Sequence, residues 1–195
     1  ATHTVCASGC DFTSIQAAID AAASGDTISL AEETFTEPFT VTKSLTIQGT
    51  GAESTILQAA AAQELATSRV ISVTEGVTIT ISEVTVRYGA VSGTTYPEAY
   101  GGGIFSHGAL TLSQSAIVSN TATYGGGLYT DVDGIINIDD TTFSDNTCSA
   151  TYGCAGGIHS NKVVSLNVSN STFLRNTGSG IYIFDSTALH VSDSA

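Results

Sequence analysis

The side chains that could carry acid–base chemistry are few. Asp131, Asp133, Asp139 and Asp140 are the carboxylates spaced closely enough to act together, and the basic residues are only Lys43, Arg69, Arg87, Lys162 and Arg175. General acid–base catalysis needs two such groups facing each other with their pKa values held apart, or a carboxylate pair beside a cation. No such pair recurs along the chain, and Asp139 and Asp140 are not in matching register with Arg87 or Arg175, so no catalytic residue is assigned. Asp131-Val132-Asp133-Gly134 has the close carboxylates and following glycine that open a calcium turn. A full calcium loop needs more ligands and a closing carboxylate, so a polar turn is expected there. His3, His107, His159 and His190 lack ligand spacing and are expected at the surface. Neither a metal nor a cofactor is expected.

Aromatic residues are a better lead. Phe105, Tyr129, His159 and Tyr182 each follow a glycine-aliphatic pair, and Tyr100, Tyr124 and Tyr152 stand close to them. If the strands that carry them pair in parallel and in register, the rings form a line on one outer face. Such a line presents apolar area with polar edges, suited to sugar rings or another protein, although stacking alone would already stiffen the sheet. The candidate binding residues are therefore Phe105, Tyr129, His159, Tyr182, Tyr100 and Tyr124. The segment 89–100, which carries Tyr96 and Pro97, would overhang this line as a contact loop.

An internal repeat must position these residues. Gly101–Asn120, Gly125–Asn146 and Gly156–Asn176 share one layout of glycine pair, aliphatic, aromatic or His, turn, two strands and Asn, and a fourth copy opens at Gly180. The first alternating aliphatics are Ile79, Leu110, Ile136, Leu166 and Leu189, spaced 31, 26, 30 and 23 residues apart. Seven residues on stand Val86, Ile117, Phe143 and Phe173, so length varies only at the corner after the Asn. Constant strands with insertions at one corner mark a solenoid. Three strands per repeat make it an all-β, triangular parallel β-helix whose inner column is Ile, Leu, Val and Phe. The glycines and the asparagines are expected at corners where the backbone takes positive φ or turns sharply, and Asn120, Asn146 and Asn176 are expected to form an amide ladder.

Composition agrees with this reading. In 195 residues there are 20 Gly, no Met and no Trp, 12% of residues are charged, and 42% are hydrophobic. That suits many short strands and disfavours disorder. A net charge of −13 offers no footprint for nucleic acid or an anionic membrane surface. No apolar run is long enough for a membrane helix, so no membrane insertion is expected. The cysteines fall in two close pairs, Cys6 with Cys10 and Cys148 with Cys154, read as local disulfides of an extracellular or cell-surface protein. Ahead of the repeats, Thr13-Ser14-Ile15-Gln16 reads as a capping box, with Ile15, Ala18, Ile19 and Ala22 at helical spacing. A short helix within residues 1–26 would blunt the first coil of a single domain whose coils fill 27–195.

Two resemblances attach to these motifs. Gly-Gly-Ile/Leu at 102–104, 126–128 and 156–158, with Phe-x-x-Asn at 143–146 and 173–176, resembles the repeats of chlamydial polymorphic outer-membrane proteins. The stretches 14–19, 25–28 and 45–49 are similar to the start of pectin-lyase-like β-helices. The resemblances imply a right-handed parallel β-helix, secreted or surface-displayed, with an adhesive or structural role. A polygalacturonase-like site would need Gly-His-Gly and Arg-x-Lys, whereas His107 lies in Ser-His-Gly and Arg-x-Lys is absent from the sequence. The expectation is thus a non-catalytic structural or adhesive protein that self-associates end to end, with Thr2–Val5 completing a neighbour's last coil. A glycan or a surface protein is the other expected partner. The alternative is a polysaccharide-active enzyme or a glycan-binding module.

Overall fold

The computed structural model describes residues 1–131 and 134–195. Its strands wind in coils around three faces: one twelve-stranded parallel sheet spans the first and second, and a six-stranded parallel sheet forms the third. The first face stacks Thr2–Val5, Thr27–Leu30, Leu45–Gln48, Thr78–Ser82, the leading halves of Ala109–Val118 and Ile135–Ser144, then Ser165–Ser169 and Leu189–Ser192. The second holds Thr34–Thr36, Ile56–Gln58, Thr85–Arg87, the trailing halves of the two long strands, and Thr172–Leu174. Phe39–Val41, Ile71–Val73, Ile104–Ser106, Leu128–Thr130, Ala155–Asn161 and Ser179–Phe184 make the third. Ile79, Leu110, Ile136, Leu166 and Leu189 pair across successive coils, as their spacing predicts.

Period-two alternation sends one residue in and the next out. On the first face Ile28, Ile47, Ile81, Leu112, Ile138 and Val168 are paired in order from coil to coil and are buried. Each contributes about 1.5–3 kcal/mol by leaving water. Phe143 and Phe173 continue the column on the second face, their rings parallel within 5° at 5.1 Å.

The corners differ from expectation in one respect. Asn120, Asn146 and Asn176 are not the positive-φ residues; Ser119, Asp145 and Arg175, immediately before them, are. The left-handed turn swings each Asn side chain inward. There Asn120 Nδ2 donates to Asn146 Oδ1, and Asn146 Nδ2 to Asn176 Oδ1, both at 3.1 Å, so the expected amide ladder forms. At Gly102 the constraint is space, because a Cβ would stand 2.4 Å from the Thr121 carbonyl oxygen.

The helix spans Ile15–Ala21, and its N-cap is Ser14 rather than Thr13, with Ser14 Oγ accepting from the Ala17 amide. Glu37 supplies what a capping-box partner would, accepting from the amides of Ile15 at 2.9 Å and Gln16 at 3.2 Å. Lys43 Nζ donates to the carbonyls of Ile19, Asp20 and Ala22 at the other end, where the helix dipole favours a cation. Ile15, Ala18 and Ile19 are buried over the first coil. No helix among the described residues is long and apolar enough to cross a membrane. Cys6–Cys10 and Cys148–Cys154 are both disulfide-bonded.

Candidate functional site

Parallel pairing on the third face converts sequence spacing into rows that run along the solenoid. Phe105 lies opposite Tyr129, Tyr129 opposite His159, and His159 opposite Tyr182. The ring centroids follow at 5.7, 5.1 and 5.0 Å, so the expected aromatic line exists. Beside it Tyr100 and Tyr124 stack at 4.8 Å, and Tyr100 meets Tyr129 edge-on at 4.7 Å.

The line is not the exposed surface that its spacing suggests. Phe105, Tyr129 and His159 are 6%, 3% and 7% exposed, because Tyr96, Tyr100 and Tyr124 lie against them. The 89–100 segment causes part of this cover. Tyr96 reaches across Phe105, and Arg69 lies 4.7 Å above the same ring while its guanidinium donates to the Pro97 carbonyl at 2.6 Å. Phe105 is therefore sealed and leaves the accessible site.

The accessible part is an open cleft of about 440 Å³ at the other end of the line. Tyr100, Tyr124, Tyr129, His159 and Tyr182 line it, together with Tyr152, Gly153, Asn161 and Phe184. Tyr152 is 86% exposed and Phe184 57%, so the walls are wet while the floor of Tyr129 and His159 is dry. Six of the seven tyrosines of the chain, all but Tyr88, gather on or beside this face. Tyr152 stands on the short loop that the Cys148–Cys154 disulfide closes.

A second row, two residues beyond the first, holds His107, Asp131, Asn161 and Phe184. Tyr96 Oη donates to Asp131 Oδ2 at 2.5 Å, and His107 Nδ1 stands 3.3 Å from Asp131 Oδ1. Burial raises the Asp131 carboxyl above the usual range, against the lowering effect of the Tyr96 hydrogen bond and of His107 and Lys162. Burial also pushes the Tyr129 phenol up to about 12 and the His159 imidazole down to about 4. The floor of the cleft is thus uncharged near neutral pH.

His159 is consequently not a surface histidine, and His3 is half-buried with Nε2 2.9 Å from Asp26 Oδ2. The possible calcium turn falls partly on Val132 and Asp133, outside the described residues. Asp139 accepts from Ser169 Oγ and Asn170 Nδ2, which hold its carboxyl below the usual range, and Arg175 pairs with Asp145. Neither arrangement touches the cleft.

Buried polar atoms without a hydrogen-bond partner are concentrated at this place. Among the described residues they are Thr130 Oγ1, His159 Nδ1, Ser160 Oγ and Asn161 Oδ1, and Asp131 Oδ1 has only the His107 contact at 3.3 Å. All lie at or just past the ends of two neighbouring strands, with Thr130 opposite Ser160. Folded proteins leave few such atoms, since each one forfeits about 1–3 kcal/mol of hydration without a replacement. His159 and Asn161 line the cleft, where an incoming group could supply the missing bonds. The sequence singled out the aromatic line but missed Asn161 and Phe184. Their signal was positional, two residues beyond His159 and Tyr182.

No family model and no curated protein matches the chain. Solved structures do. A pectin methylesterase in complex with a hexasaccharide aligns with a TM-score of 0.59 at 15% identity, over 91% of this chain and 67% of that one. PemA, a pectin methylesterase of Erwinia chrysanthemi, aligns at 0.56 and 16%, over 96% and 66%. The pectin methylesterase of Aspergillus niger gives 0.51 and 14%, over 99% and 75%. This chain is a right-handed parallel β-helix. At such identities the likeness is one of fold, and the chain spans about two thirds of the length of the first two neighbours. Their fold is the one that the resemblance to the start of pectin-lyase-like β-helices implies.

Proposed function

We propose that the third face is a carbohydrate-binding surface of an extracellular β-helix and that the tyrosine cleft seats its sugar rings. The observation that carries this reading is a coincidence of place: the tyrosines and the unpartnered polar atoms occupy the same end of the same face. Tyr124, Tyr152, Tyr182 and Phe184 offer ring faces to the apolar side of a pyranose, while His159 and Asn161 offer polar atoms to its hydroxyls. The solved structures that share the fold are named as pectin methylesterases, one of them holding a hexasaccharide, which supports a polysaccharide as the ligand class. Two disulfides and a scarcity of lysine fit an oxidising, extracellular setting.

Tyrosine fluorescence is a direct probe because tryptophan is absent. Titration with soluble hexasaccharides of glucose, xylose, mannose and galacturonic acid should perturb the emission for at least one of them. Tyr124→Ala and Tyr152→Ala should each weaken that ligand about 3- to 10-fold, the range that ring stacking contributes. Unchanged affinity in both variants would remove the cleft as the site.

A further inference from the structure

We infer that the cleft selects uncharged glycans over uronate polymers, a refinement that rests on the carbohydrate-binding reading. The polar atoms waiting in it set the chemistry. Asn161 Oδ1 can only accept, so its missing partner must bring a proton. A sugar hydroxyl brings one; a uronate carboxylate does not. The strongest partners of a carboxylate are a guanidinium, an ammonium or a bridging cation, and no lysine or arginine lines the cleft.

Four of the five lysines and arginines are bound by other groups. Lys43 is held by helix carbonyls, Arg69 by Pro97, Arg87 by Gln58 at 2.9 Å, and Arg175 by both oxygens of Asp145. Lys162 follows the cleft-lining Asn161 but does not itself line the cleft, and its charge acts on Asp131. Buried against aromatic rings, His159 stays a neutral imidazole. A net charge of −13 adds a long-range field that disfavours the approach of a polyanion.

The test is calorimetric titration of the wild-type chain with cellohexaose, xylohexaose, mannohexaose and hexagalacturonate, at about 0.05 and about 0.5 M salt. Tyr124→Ala and Asn161→Leu serve as variants, and thermal melts confirm that both fold. The expected result is an uncharged hexasaccharide bound at least about tenfold tighter than hexagalacturonate, with affinity nearly independent of salt. That ligand should be weakened by both variants. If hexagalacturonate binds as tightly or more tightly and Tyr124→Ala weakens it, the inference is overturned and the cleft reading stands. If none of the four binds, or if binding is indifferent to Tyr124→Ala, the cleft reading fails and takes the inference with it.

Discussion

His159 is the residue whose titration burial changes most plainly. Its imidazole is sandwiched between Tyr129 and Tyr182, with Tyr124 edge-on, and burial lowers its pKa to about 4. In the unfolded chain it would titrate near the ordinary value of about 6.5. Between these pH values the unfolded state binds more protons, so stability is full above about pH 6.5 and falls as the pH drops toward 4. The loss is at most about 3 kcal/mol. Asp131 acts in the opposite sense, since its raised carboxyl takes up a proton before the unfolded chain does. Thermal melts should therefore show His159→Phe gaining on the wild type between pH 7 and pH 5, and parallel pH curves would contradict this. The ring row was legible in the sequence because its members share a fixed place after the glycine pair. The burial of His159 was not, because it comes from Tyr124 and Tyr129, which reach it only through the register between coils.

Among the elements, the Asn corners and the disulfide loop do different work. Asn146 is fully buried; it accepts from the amide and the side chain of Asn120 and donates to the Ile117 carbonyl at 2.7 Å. Asn146→Ala would strand two buried backbone groups at once, a loss of about 2–5 kcal/mol. Asn176→Ala, at a half-buried rung, should lower the melting temperature less. The ladder could be read from three asparagines in one register. The positive φ could not be assigned to Ser119, Asp145 and Arg175, because no side-chain property unites them. Under the proposed function the disulfide loop bears on binding. Closing the short segment between Cys148 and Cys154 is worth about 2 kcal/mol in chain entropy, and it holds Tyr152 at the wall of the cleft. Cys148→Ser with Cys154→Ser should weaken oligosaccharide binding about as much as Tyr152→Ala. Cys6→Ser with Cys10→Ser, at the far end of the solenoid, should leave it unchanged; equal effects of the two pairs in the same titration would refute that assignment.

At the scale of the whole molecule, a parallel β-helix turns a repeat in sequence into continuous rows on a surface, and this chain gives one of its three faces an unusual share of aromatic rings. The coil, its three strands and the helix over the first turn were legible because hydrophobic alternation and corner glycines repeat with nearly constant spacing. The cleft was only half legible. Its walls follow from the repeat, but its mouth is set by two non-repeating pieces, the 89–100 segment that seals Phe105 and the disulfide loop that lifts Tyr152. Insertions obey no period, so their placement comes from packing rather than from pattern. Only the fold is shared with enzymes, at 14–16% identity, so the proposed function rests on the tyrosine cleft and not on the fold. The most direct measurement is a crystal structure of the chain with the tightest hexasaccharide of the titrations. A sugar ring stacked on Tyr124, Tyr152 or Tyr182, with a hydroxyl donating to Asn161 Oδ1, is the predicted result; a sugar seated on the first or second face, with the tyrosine cleft empty, would contradict the account.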